Sequence, residues 1–212
     1  MNEYLDSFFD FIGNEVELDD DTRLLISRHC RLVRVARGEL FLNNGQVCND
    51  VYFIVEGRGV SYFTDTKGKT TTWFFHFNSP DAQVKNIFAV DYRSFLSDRP
   101  SDLSIQATSE IIAIHFTKRQ IELLTEGSDI LETWIAKLNE KSLIMAYNRI
   151  ATLLIFSATE RYEQLLRDEP YLLDLFSNYH IATYLNITPQ SLSRIRARLS
   201  KKGVGLGPGK SK

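Results

Sequence analysis

The stretch His180-Ile181-Ala182-Thr183-Tyr184-Leu185-Asn186-Ile187-Thr188-Pro189-Gln190-Ser191-Leu192-Ser193-Arg194-Ile195 decides how the rest of the chain is read. Its apolar positions, Ile181, Ala182, Leu185, Ile187, Leu192 and Ile195, recur at helical spacing on both sides of a break. Small Ala182 lets a second helix cross close to the first. Asn186 falls just past the first helix, where a left-handed residue is needed, and Asn is the commonest non-glycine choice there. Thr188 suits the N-cap of the second helix, and Pro189 its first position, where a missing N–H costs nothing. The pattern predicts a helix-turn-helix between about Ser177 and Ser200, the geometry that offers its second helix to a major groove.

With Leu192 and Ile195 inward, Gln190, Ser191, Ser193 and Arg194 lie on or beside the outward N-terminal half of that helix. Gln can pair bidentately with adenine and Arg with guanine. Ser191, like Thr188 beside it, suits a phosphate near a helix N-terminus. Arg196, Arg198, Lys201 and Lys202 are expected to touch phosphates, setting affinity and register. A plain helical hairpin with a polar outer face would share the apolar pattern, but not the charge distribution. From Ser177 to Lys212 there is no acidic residue and there are seven basic ones: Arg194, Arg196, Arg198, Lys201, Lys202, Lys210 and Lys212. The whole chain carries −2, so everything before Ser177 carries −9. An acidic body with a basic end is the asymmetry expected when one module meets a polyanion.

Upstream, the first thirty residues read as helical, anchored by Phe8, Phe9, Ile12, Leu24, Leu25 and Ile26 around a capping Asp19-Asp20-Asp21 turn. From Leu32 to about Phe116 the texture changes to short β-rich runs: 32–35, 40–42, 51–55, 59–64, 70–77 and 111–116. Gly38, Asn43-Asn44-Gly45, Glu56-Gly57 and Lys67-Gly68 punctuate them as turns. Several short strands at this spacing predict an antiparallel sandwich or jelly roll. Thr117 then caps a short helix, and Gly127-Ser128-Asp129 opens a long one. Leu131, Trp134 or Ile135, Leu138, Ser142, Met145, Arg149 and Thr152 form an interrupted heptad seam along it. That seam predicts a homodimer joined by the helix from about Asp129 to Ala158, with Trp134 adding the largest buried surface. Ser157-Ala158-Thr159-Glu160 is a capping box opening a further helix that ends at Pro170, and Ser177 can cap the first helix of the hairpin.

Composition narrows the function classes. At 212 residues with 43% hydrophobic content the chain can bury one large or two modest cores. No apolar run approaches the roughly 18–20 residues that span a bilayer, and the acidic N-terminus lacks a signal-peptide pattern, so no membrane partner is expected and the cytoplasm is the expected location. Cys30 and Cys48 fit neither a disulfide framework nor a zinc ribbon and read as small buried thiols. A metal-dependent jelly-roll enzyme would need clustered histidines. Here His29, His76, His115 and His180 are dispersed, no catalytic motif is visible, and neither a catalytic nor a metal site is expected. A ligand-binding module acting only through protein partners, with a vestigial DNA-binding end, is the other alternative; a basic, acid-free C-terminus would be superfluous in it.

Taken together, the chain resembles the Crp/Fnr family of transcriptional regulators. Arg37-Gly38-Glu39 through Val55-Glu56-Gly57 to Phe74 is similar to the first strands of that family's cyclic-nucleotide-binding-type β roll. Ala158-Thr159-Glu160-Arg161-Tyr162 to Pro170, followed by Ile181 to Leu199, resembles the branch common in Bacteroidetes-type regulators. The resemblance implies an α+β fold in three parts: a β-roll sensor at 1–127, a dimerisation helix at 128–157 and a DNA-binding domain at 158–212. It further implies a homodimer on a pseudo-palindromic double-stranded operator, contact with RNA polymerase, and no cofactor beyond an unidentified small-molecule effector.

Two departures from the family pattern shape those expectations. Members that bind cyclic AMP carry a Gly-Glu pair for the ribose and an Arg-Ser or Arg-Thr pair for the phosphate. The corresponding stretch, Ile87 to Ser101, has no Gly-Glu pair, and Pro100 stands where the phosphate-binding Arg would be. Arg93, Arg99 and Ser101 remain as candidate effector contacts, and the roll is expected not to bind cyclic AMP in the family manner. At the DNA end, Gly203-Val204-Gly205-Leu206-Gly207-Pro208-Gly209 implies a winged-helix-like unit whose wing is reduced or absent. On the recognition helix Pro189 takes a position that often carries a base-reading Arg, while Gln190 and Arg194 match the other two reading positions.

Overall fold

A computed structural model describes residues 2–79 and 87–201 of the chain. Two helices, α1 (Asn2–Gly13) and α2 (Asp20–His29), precede strands β1 (Arg31–Val35), β2 (Leu40–Leu42), β3 (Asp50–Glu56), β4 (Arg58–Thr64), β5 (Thr70–Phe77) and β6 (Phe88–Ala89). A short helix α3 (Tyr92–Ser97) leads to β7 (Leu103–Ala107) and β8 (Ile111–Thr117). Helices then follow: α4 (Lys118–Gly127), α5 (Asp129–Ile155), α6 (Ala158–Asp168), α7 (Leu172–Leu175), α8 (Asn178–Tyr184) and α9 (Pro189–Lys201). The fold is α+β, with two antiparallel four-stranded sheets in the orders β1-β8-β3-β6 and β2-β7-β4-β5.

Turn chemistry sets the strand lengths. Gly38, Gly45, Gly57 and Gly68 all have positive φ, and at Gly57 the requirement is absolute. A Cβ there would stand 2.2 Å from the Glu110 carbonyl oxygen at φ +93°. Strand β7 and the two-residue β6 are additions to the runs expected from sequence. In β7, Leu103, Ile105 and Ala107 are buried and alternate with half-buried Ser104 and Gln106, the period of a strand covered on one face.

The first core fills the space between the sheets and under the N-terminal helices. Phe8 of α1 packs 4.7 Å from Phe53 of β3 and 5.9 Å from Trp134 of α5, ring centre to ring centre. Leu131 and Trp134 belong to this core, and Ile135 and Leu138 pack against it. Caps divide the helices after β8: Thr117 forms a capping box with Gln120, Ser128 caps α5, and Ser157 forms a capping box with Glu160.

Helix α5 corrects the expected dimer seam. Leu131 and Trp134 are buried within their own chain, so neither is available to a partner. Further along the same stripe Met145 and Arg149 border an internal cavity. The opposite stripe is bare: Leu143, Tyr147, Ile150 and Leu154 are 72%, 71%, 48% and 80% exposed, at spacings of four, three and four. Both sides of α5 are apolar, and the β unit claims the side that sequence periodicity assigns to a partner.

A second core gathers Tyr162, Leu165, Leu172, Phe176, Ile181, Ala182, Leu185, Leu192, Ile195 and Leu199 from the C-terminal helices with Val60, Phe75 and Phe77 from β4 and β5. The helical unit is thereby seated on the β4–β5 sheet. Phe75 stacks 4.2 Å from Phe176 and 4.8 Å from Tyr184. Beside them the buried hydroxyls of Thr72 and Thr183 hydrogen-bond at 2.7 Å, and Arg58 Nη1 donates to the Leu175 carbonyl at 2.7 Å.

Candidate nucleic-acid interface

The two helices of the hairpin, α8 and α9, are joined by a turn that local chemistry dictates. Ser177 caps α8, its side chain accepting from the His180 N–H. At the far end Asn186 takes φ 53°, its N–H donating to Thr183 O at 3.0 Å while the Ile187 N–H donates to Ala182 O at 2.9 Å. Those two bonds form a Schellman motif, which satisfies carbonyls that the helix end would otherwise leave bare. Thr188 Oγ1 then accepts the Ser191 N–H at 3.2 Å, and Pro189 opens α9. Ala182, Leu192 and Leu199 are buried in the angle between the helices.

That packing turns one polar face of α9 outward. Gln190, Ser193, Arg194, Arg198 and Lys201 are exposed, whereas Ser191 and Arg196 are half-buried. Not all of these side chains are uncommitted. Thr188 Oγ1 donates to Ser191 Oγ at 3.0 Å, and Ser193 Oγ donates back to Pro189 O at 3.1 Å. Arg196 is tied inward: its Nε donates to the Tyr162 hydroxyl at 3.0 Å and its Nη1 to Asn178 Oδ1 at 2.6 Å. Arg198 hydrogen-bonds Thr159 of α6. Among the expected phosphate contacts, Arg196 and Arg198 are thus also tethers holding α9 to α6 and α8. Lys202 and the glycine-rich segment considered for a wing lie outside the described residues.

The cassette residues are occupied differently. Arg93 pairs with Asp102 at 2.8 Å and donates to Pro100 O at 2.9 Å. Ser101 is buried, its hydroxyl donating to Asp91 Oδ2 at 2.7 Å and accepting the Leu103 N–H at 3.1 Å. Ser94 Oγ donates to the Arg99 carbonyl at 2.6 Å and accepts the Cys48 N–H at 2.9 Å. The segment from Asp91 to Leu103 is knitted to itself and to the loop before β3. Arg93, Arg99 and Ser101 are close in the chain, and none of them lines the cavity that α5 borders.

Sequence reasoning placed Arg149 on the expected dimer seam and gave the half-buried Arg161 no contact. Arg161 donates to the Phe156 carbonyl at 2.7 Å, the Leu185 carbonyl at 3.1 Å and the Leu153 carbonyl at 3.4 Å, linking the end of α5 to the end of α8. Arg149 is 5% exposed and lies over the Tyr184 ring at 3.7 Å. No motif announces either, because their acceptors are backbone carbonyls, some of them 24 to 77 residues away. Among the described residues no group of three or more His, Cys, Asp or Glu side chains is arranged to hold a metal, and no helix is long and apolar enough to cross a membrane.

Comparison with known proteins places this architecture. No family model and no curated protein sequence matches the chain, whereas many solved structures do. FixK2 from Bradyrhizobium japonicum superposes with a TM-score of 0.71 at 17% identity, over 86% of this chain and 89% of that one. The c-di-GMP-responsive global regulator CLP of Xanthomonas campestris gives 0.70 at 12% identity, over 91% and 97%. A transcriptional regulator of the Crp/Fnr family from Eubacterium rectale gives 0.67 at 15% identity, over 91% and 88%. The chain therefore has the fold of the Crp/Fnr regulators along nearly its whole length.

Proposed function

We propose that a protein with this Crp/Fnr fold acts as a dimeric, sequence-specific DNA-binding transcriptional regulator. The observation that carries the reading is the outward face of α9, polar and free of acidic residues, set over a turn whose caps are all satisfied. Gln190 and Arg194 read bases in the major groove, with Thr188, Ser191 and Ser193 beside the backbone at the helix start. Lys201, Arg198 and Arg196 lie further along α9, where phosphates set register. The dimer forms through the exposed stripe Leu143, Tyr147, Ile150 and Leu154 of α5. Two-fold symmetry then spaces the recognition helices about one turn of DNA apart, roughly 34–36 Å, on a pseudo-palindromic operator.

The β roll is a sensor that does not take cyclic AMP in the family manner. Supporting this, Arg93 is already paired with Asp102 and Ser101 with Asp91. Calorimetric titration of cyclic AMP at micromolar protein should give no heat of binding; saturable binding lost in Arg93→Ala or Arg99→Ala overturns this part.

The decisive experiment selects duplexes from a random pool, then titrates the enriched site and a scrambled control at several salt concentrations. Arg194→Ala should lose about 1–3 kcal/mol per half-site and relax selectivity at one base pair. Lys201→Ala should weaken both duplexes alike and lower the salt slope by about one. Equal losses on both duplexes for Arg194→Ala would show that α9 does not read sequence, and failure to enrich any duplex would remove the function.

A further inference from the structure

A cavity of about 850 Å³ lies where β5, α5, α6 and α8 meet, within the size range of small-molecule sites. Part of its wall is aromatic and apolar, including Phe75, Phe77, Phe88, Trp134, Met145 and Leu165. Two polar groups reach it without partners: Arg149 Nε and Gln164 Oε1 are both buried and neither is hydrogen-bonded. Buried polar atoms are almost always satisfied, so two orphans on one cavity wall point to something that completes them.

The charge balance says what. Arg149 donates through Nη2 to Thr72 O at 3.3 Å and to Tyr184 O and lies over the Tyr184 ring, so its direct contacts are carbonyl dipoles and a ring. Among the described residues no carboxylate lies within ion-pair distance of it. A buried, unpaired guanidinium is costly, and an anion relieves that cost. Glu169, also on the cavity wall, lies beyond ion-pair distance of Arg149. The other cations lining the cavity are committed: Arg161 to three carbonyls, Lys137 to the Glu15 carbonyl and Lys141 to the Glu15 carboxylate. One unpaired guanidinium beside Glu169 and Asp168 suits a single negative charge and repels a doubly charged phosphate monoester.

We infer that this cavity binds a small aryl carboxylate bearing a hydroxyl or amine, its acid held by Arg149, its donor on Gln164 and its ring against Trp134. The site is separate from Arg93, Arg99 and Ser101, and it goes beyond the DNA-binding reading without resting on it. Because its walls come from the β unit and the helical unit together, its occupant bridges the two.

The chain has two tryptophans, so a full-length Trp73→Phe protein leaves Trp134 as the sole indole fluorophore, inside the site. Titrated with 4-hydroxyphenylacetate, 4-hydroxybenzoate and 3-hydroxyphenylacetate, its emission should change saturably, with a midpoint below about 1 mM for at least one of them. The matching amide should bind about tenfold more weakly, having lost the charge-assisted bond. Gln164→Leu should weaken binding severalfold, and Arg149→Lys about tenfold, because an ammonium cannot reproduce the fork. Should Arg149→Lys fail to fold by circular dichroism, the acid–amide ratio and Gln164→Leu carry the test. The proposal is overturned by flat titrations with all three acids to about 10 mM, by equal affinity for acid and amide, or by tighter binding of phenyl phosphate than of any carboxylate.

Discussion

At Asn186 a single backbone angle sets the direction of the whole of α9. With φ at 53° and the two Schellman bonds in place, Asn186→Gly should be tolerated, while β-branched Asn186→Val should cost about 1–3 kcal/mol in urea unfolding. His76 gives a second residue-level prediction. Its Nδ1 bonds the Phe88 carbonyl at 2.8 Å, its Nε2 has no partner, and burial pushes its pKa down to about 4 from 6.5. Between those values the unfolded chain holds a proton that the folded one refuses. Stability is therefore full above about pH 6.5 and falls by about 3 kcal/mol as the pH drops toward 4. His76→Gln should flatten that slope in urea midpoints measured at pH 7 and pH 5. Asn186, Thr188 and Pro189 were legible in the sequence because caps and turns are decided by neighbours. Arg149, Arg161 and Arg196 were not, because whether an arginine meets solvent, a carbonyl or a tyrosine is decided by residues 20 to 80 positions away.

Among the elements, α5 shows where periodicity stops being informative. Its apolar residues cover two stripes, one on the first core and cavity and one bare, and a three-four spacing is present on both. Sequence pattern locates such a helix and its caps but cannot rank the stripes, since that ranking depends on which side the sheets occupy. The two sides should respond differently to substitution. Leu131→Ala should destabilise the fold by about 2–5 kcal/mol, with oligomeric state unchanged at a temperature where the protein remains folded. Tyr147→Glu with Leu154→Glu should halve the mass seen by sedimentation equilibrium while circular dichroism still reports a folded chain. A monomeric parent protein would refute the assignment of the bare stripe. Strand β7 is a different case: Leu103-Ser104-Ile105-Gln106-Ala107 alternates, but with one β-branched residue in five and no aromatic its strand signal is weak.

For the molecule as a whole, the C-terminal helices do not own a complete core. Val60, Phe75 and Phe77 of the β roll are members of it, so the roll is a structural component of the C-terminal helical unit as well as its neighbour. Phe75→Ala, a change in a β strand, should therefore speed amide hydrogen exchange in α8 and α9 while amides of α1 keep their protection. Uniform acceleration everywhere, or none in α8, would show that the two cores are not coupled in this way. The sheet order β1-β8-β3-β6 carries a consequence for how the chain is made. The strand at 111–117 lies between two partners from the first 56 residues, so on the ribosome those earlier strands emerge with their shared edge unfilled. They must wait for about half the polypeptide to be translated before the sheet can close. At roughly 5–20 residues per second that interval lasts seconds, during which β1 and β3 offer open edges to any other nascent chain.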